Sequence, residues 1–223
     1  MLHLQDTVTA DTRYTFTGQH LEASAIFARR ARVLEAAAVS QVDEALRCEH
    51  RGIICAVIMQ CAAALETEAH EICAYGRGAH LGSNGTNRDA QQFLFPLSDV
   101  VDDQDTLSRY EVILHLLRKP PIQRGAEPFQ SAALVVRLRN ELIHYKSRWG
   151  QEMGSNKLLS ALQSFRHRPP PFADPSMNFF PHRCLSADCA AWALSSVVAF
   201  LEAVYQSLGV PSRFEAYRSR LVP

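Results

Sequence analysis

Residues 52–65, GIICAVIMQCAAAL, form the longest apolar run of the chain. Gln60 alone interrupts it, and Arg51 and Glu66 flank it. The run is too short to span a bilayer, which takes about 20 residues. A helix that is apolar on nearly every side must be wrapped by other elements. The rest of the chain is therefore expected to supply a jacket around a central helix.

The pattern elsewhere supplies helices. Residues 20–46 are rich in Ala, Leu, Glu and Arg, with Leu21, Ala25, Ala28, Val33 and Leu34 near helical spacing. A second helix, carrying the apolar run, is expected over 49–75, ended by Gly76 and Gly78 and followed by a Gly/Ser/Asn-rich loop to Asn87. A third spans about 106–118, before Pro120-Pro121. A fourth begins at Pro128, a favoured first-turn residue, and runs to about 148. A short one is expected near 155–165, and Pro169-Pro170-Pro171 then enforces an extended connection. The last, 187–208, has the best-marked ends, with Ser186 as N-cap, Asp188 at the positive helix end, and Gly209 and Pro211 after it.

Only residues 7–16 alternate as strands do, around Asp11-Thr12, and a short β-hairpin is expected there. The expected architecture is an all-α antiparallel helical bundle over 20–210, with a non-helical N-terminal extension over 1–19 and a tail over 211–223. At 47% hydrophobic residues the chain can build a real core, which excludes a disordered chain.

Lys plus Arg and Asp plus Glu are both 23, so the whole chain does not call for avid, unspecific nucleic-acid binding. The charge is nevertheless segregated. Residues 62–108 hold eight acids against two bases, and residues 109–168 hold eleven bases against four acids. The second stretch has the makings of a local anion-binding face. Glu66, Glu68, His70 and Glu71, just after the apolar run, read as solvated charges at a helix end, with Glu66 also in reach of a supporting role beside the fourth helix. Arg213 to Arg220 read as a solvated basic surface by default, with a short basic helix as the alternative.

The six cysteines form no C-x-x-C pair, and His182, Cys184 and Cys189 lack a fourth ligand. No metal and no cofactor are expected. Helix-borne free thiols that pack as small hydrophobes, with no apolar leader at Met1 to Asp6, point to a reducing, cytoplasmic setting and to no membrane partner.

The most specific chemical signal is Arg139-Asn140-x-x-x-His144 inside the fourth helix, within the basic stretch. A guanidinium can hold two phosphate oxygens, and an imidazole titrates near neutrality and can move a proton. RNA supplies its own nucleophile, the 2′-hydroxyl. Arg139, Asn140 and His144 are thus the expected catalytic set. On an ideal helix Asn140 and His144 share a face, whereas Arg139 and His144 lie about 140° apart. One helix gives half a site, and a two-fold homodimer would complete it.

The segment resembles the R-x4–6-H signature of HEPN domains, with Asn140 as the polar residue after the arginine and Tyr145 as the trailing aromatic. The resemblance implies a dimerising helical bundle and a metal-independent ribonuclease of toxin–antitoxin or phage-defence systems, acting on RNA and leaving a 2′,3′-cyclic phosphate. It also implies an antitoxin or defence partner, with Tyr145 and Lys146 near the site. One subgroup is silenced by modification of a tyrosine two residues after the histidine. Lys146 stands there in this chain, a departure that puts such pairing in question. A non-catalytic binding or dimerisation module for a nucleotide, RNA or protein is the alternative.

Overall fold

A computed structural model describes residues 15–37, 42–75, 94, 96–145, 157–165 and 167–223. Among these the chain is helical and no strand is present. The elements are α1 (Thr17–Ala37), α2 (Glu44–Tyr75), α3 (Ser98–Asp102), α4 (Ser108–Leu116), α5 (Phe129–Ile143), α6 (Lys157–Ser164) and α7 (Ala187–Leu208). A π-type turn at Phe179–Arg183 precedes α7, and a 3-10 helix at Glu215–Leu221 follows it. The expected hairpin falls largely on residues 1–14, outside the described residues. Its last two residues, Thr15 and Phe16, are neither strand nor helix, and α1 begins directly after them at Thr17.

The first helix does not run on to Leu46 as its composition suggests. It ends at Ala37, and residues 44–46 belong to α2. Asp43 explains the restart. Its carboxylate accepts the N–H of Leu46 at 2.8 Å while its carbonyl accepts that of Arg47. A side-chain acceptor for an orphan N–H sets a helix N-terminus whatever the propensity of the residues on either side.

Hydrogen bonds between helices fix their directions. Glu71 accepts the N–H groups of Phe16 and Thr17, Ser24 meets Cys61, and Arg30 pairs with Glu49, so α1 and α2 are antiparallel. Glu35 near the end of α1 accepts the N–H of Ala187 at 2.7 Å, and Tyr205 reaches Glu68, so α7 runs beside α2 in the same direction. Phe129 meets Phe200 edge-on at 5.9 Å while Tyr145 meets Phe180 at 5.9 Å, so α5 runs against α7. The four long helices form an antiparallel bundle with α3, α4 and α6 at its side.

The core follows from the stripes. Ile54, Val57, Ile58, Cys61, Leu65 and Ile72 of α2 are sealed from solvent, as are Leu194, Val197, Leu201, Val204 and Leu208 of α7. Each large apolar side chain buried this way stabilises the fold by about 1.5–3 kcal/mol. Tyr110 of α4 packs edge-on against Phe200 at 5.1 Å and donates its hydroxyl to the carbonyl of Leu65. By length and composition alone α2 and α7 would suffice to cross a membrane, but 50% and 61% of their most apolar windows are buried within the bundle.

The ends of α7 fall where the sequence sets them. Ser186 accepts the N–H of Cys189 at 3.3 Å, and Gly209 adopts a left-handed φ of 76° while its N–H reaches Tyr205 and Gln206. Only glycine takes that conformation without strain. All six cysteines are free thiols. Burial pushes Cys61 and Cys189 up to about 12, so both are inert packing residues.

Candidate functional site

α5 lies against α2 and α7 through Leu134, Val135 and Leu138, all buried. This contact fixes which residues the helix turns outward. Gln130, Arg137, Asn140 and His144 are exposed, and their spacing of seven, three and four puts them on one face. α5 ends at Ile143, earlier than the sequence implies, and His144 becomes its C-cap, its N–H on the carbonyl of Asn140 at 2.9 Å. The imidazole therefore sits at the free end of the helix, not within it. Ile143 and Tyr145 beside it are 51% and 44% exposed, two large apolar side chains next to the imidazole.

Arg139 points elsewhere. Its guanidinium is ion-paired with Glu66 of α2, and Thr106 donates its hydroxyl to the same carboxylate oxygen at 3.2 Å. Arg139 is mostly covered and Glu66 half-exposed. The expected set thus divides into two groups. Asn140 and His144 share the solvent-facing stripe, while Arg139 and Glu66 hold each other at the α2–α5 seam. Tyr145 leans on Phe180. Lys146 lies outside the described residues.

Arg137 is a residue the motif does not select. It is exposed, seven positions before His144, and so about 20° from it around the helix. A seven-residue repeat marks it in the sequence once the buried stripe is known.

The basic face expected over 109–168 is smaller than the charge count implies. Arg139 is matched by Glu66 and Arg124 by Glu111, and Arg168 by Asp188, while Arg109 donates to the carbonyls of Asp102 and Gln104. The acidic and basic stretches fold partly onto each other.

Glu68 and Glu71 are not the solvated charges their position suggests. Glu68 is fully buried, bonded by Tyr205 and paired with Arg213, which also pairs with Glu71. Burial raises the Glu68 carboxyl above its usual range against the opposing pull of Arg213 and Tyr205. Arg213 is therefore an anchor for the C-terminal segment, not part of a solvated tail. The signal was present: Cys61, Ala64, Leu65, Glu68 and Ile72 form one helical stripe, and Glu68 sits inside it.

Chemically, one chain offers an exposed amide and imidazole on a helix end, an exposed arginine on the same face, and a second arginine neutralised beside them. Among the described residues nothing covers His144 from water. Among the described residues no group of three or more His, Cys, Asp or Glu is placed to hold a metal. Comparison with protein-family models, with curated proteins and with solved structures finds no match in any of the three.

Proposed function

We propose that the chain is a metal-independent endoribonuclease of the HEPN type, acting as a homodimer. The observation that carries this reading is the exposed pair Asn140 and His144 on one face of α5, with Arg139 at the adjoining seam. The imidazole is exposed and makes no ring hydrogen bond among the described residues, whereas Arg139 is tied to Glu66 across the helix seam. His144 takes the 2′-hydroxyl proton as general base, and the attacking oxygen displaces the 5′-oxygen to leave a 2′,3′-cyclic phosphate. The proton on the leaving oxygen comes from an imidazolium, the same group or its copy across the dimer. Arg139 stabilises the phosphate charge and Asn140 orients the imidazole or the phosphate.

The exposed Ile143 and Tyr145 beside His144 give a second copy an apolar surface to cover, and an isologous contact there would bring two imidazoles together and exclude water. RNA is the substrate in this reading, with a cytoplasmic, toxin–antitoxin or phage-defence setting and an antitoxin-like partner. RNA cleavage in EDTA by the wild type and by Arg139→Ala and His144→Ala tests it.

The Glu66–Arg139 ion pair favours a second reading, a HEPN-like binding or dimerisation module without catalysis. A guanidinium already matched by a carboxylate is less available to a phosphate. In that case RNA or a nucleotide binds without cleavage, and His144→Ala leaves its affinity unchanged.

A further inference from the structure

A cavity of about 190 Å³ lies between the first turns of α2 and the segment that leads into α7. Two of its arginines lack a carboxylate partner among the described residues, as do Arg29 and Arg109, which donate to backbone carbonyls instead. Elsewhere Arg30, Arg124, Arg139, Arg168, Arg213 and Arg218 each pair with a carboxylate. Arg47 and Arg51, one helical turn apart on the same face of α2, both line this cavity, and neither forms an ion pair among the described residues. Glu44 also lines it, so two guanidiniums face one carboxylate, a surplus of one positive charge before any imidazole is counted. Glu35 is taken up by His50 Nε2 at 2.9 Å and by the N–H of Ala187, while Asp43 and Asp174, next to lining residues in sequence, accept from Leu46 and Ser176.

Arg51 is held by His182 instead. Its Nη2 lies 3.2 Å from Nδ1 of the imidazole. A guanidinium has no acceptor, so Nδ1 must accept and the ring proton must sit on Nε2. That bond therefore sets the tautomer and leaves His182 with a donor to offer. It also removes His182 from the role of general base, since its lone pair is occupied. Burial and the Arg51 charge both favour this neutral form. The remaining wall is apolar and flat: Phe172, seated edge-on against His50 at 4.8 Å, with Pro170 and Pro181.

We infer that this cavity binds a small organic phosphate monoester, its anion held by Arg47, Arg51 and the Nε2–H of His182 and its flat apolar part against Phe172. A set of donors without a matching acceptor calls for an anion. Two forked guanidiniums and an imidazole N–H supply more hydrogen bonds than the two oxygens of a carboxylate take up, and match the three of a phosphate monoester. The volume limits the rest of the ligand to about one ring, since sites for drug-sized molecules span roughly 300–1,000 Å³. The inference is independent of the ribonuclease reading, because neither Arg139 nor His144 lines the cavity.

Titration of the full chain with phenyl phosphate tests it, by calorimetry and by backbone and imidazole NMR, with inorganic phosphate, benzoate and phenol as separate probes. The expected result is one phenyl phosphate per chain with a Kd of about 1 mM or below, shifts at His182 and Phe172, and weaker binding of the other three. Arg51→Ala should weaken binding roughly ten-fold or more and Arg51→Lys by less, while His144→Ala leaves it unchanged. Shift mapping on the wild type locates the ligand even where a variant folds poorly. No shift at His182 or Phe172 at roughly 10 mM phenyl phosphate overturns the site, as does undiminished affinity in a folded Arg47→Ala/Arg51→Ala double variant. Equal affinity for benzoate overturns the phosphate assignment, and equal affinity for inorganic phosphate overturns the apolar wall.

Discussion

The carboxylate of Glu66 on α2 is ion-paired with the guanidinium of Arg139 on α5, and the two close the seam beside the exposed end of the motif helix. A phosphate bound by Arg139 must compete with that carboxylate. The pair is only partly buried, so its worth is that of a surface salt bridge, about 0.2–1 kcal/mol. Glu66→Gln should therefore tighten RNA binding about two- to five-fold at fixed low salt. Fluorescence anisotropy with a labelled single strand measures it, and weaker binding would show that Glu66 positions Arg139 for the phosphate and does not mask it.

The two faces of α5 should respond differently to truncation. Leu138 is fully buried, and Leu138→Ala should cost about 2–5 kcal/mol, a fall in Tm of roughly 5–15 °C for a chain of this size. Asn140→Ala and His144→Ala lie on the solvent face and should stay within about 0.5 kcal/mol of wild type. Calorimetry of the three variants decides it. A large loss in His144→Ala would make the histidine a fold residue.

This division was partly legible in the sequence. The period of Leu134, Val135 and Leu138 fixes the buried face, and five-residue spacing already separates Arg139 from His144. Ser186 and Gly209 mark α7 because capping is local chemistry. What stayed hidden depends on contacts distant in the chain. Arg139 meets Glu66 across 73 residues and Arg213 meets Glu68 across 145, and no window of sequence carries either pairing. The break between α1 and α2 was masked by helix-favouring composition on both sides of Asp43. The helical character of Glu215–Leu221 was legible in the sequence, but its packing on α1, through Arg29 to the carbonyls of Arg220 and Val222, is equally non-local.

Arg213 should matter to stability in a pH-dependent way. Arg213→Met leaves Glu68 buried without its cation, at a cost of about 3–5 kcal/mol at neutral pH. Burial already raises the folded-state pKa of Glu68 against the pull of Arg213, so between the unfolded and folded values the folded protein takes up a proton there more readily than the unfolded chain. Removing Arg213 raises it further. The deficit of the variant should thus shrink as pH falls through the raised value toward the ordinary carboxyl range. Chemical denaturation of both proteins across that range measures it, and a pH-independent deficit would mean that Glu68 is not the group left stranded.

His182 should titrate below the ordinary histidine value, because it is partly buried and Arg51 stands beside it. Arg47, His50 and Glu44 also line the cavity, Glu44 being the acid among its lining residues. A depressed folded-state pKa means that stability is kept above the unfolded value and lost as pH falls through the folded one. In an NMR titration Arg51→Gln should move the His182 pKa back upward, with burial holding it below its free value. An unchanged pKa would show that burial alone sets it.

In the proposed reaction Arg139 and His144 cleave RNA without a metal. Wild-type protein incubated with single-stranded RNA in excess EDTA should cut it and leave 2′,3′-cyclic phosphate ends, identified by mass spectrometry. Arg139→Ala and His144→Ala, folded as judged by their Tm, should each lose the activity by about 10²-fold or more. Cleavage that vanishes in EDTA, or that survives in a folded His144→Ala variant, would rule out a metal-independent reaction at His144.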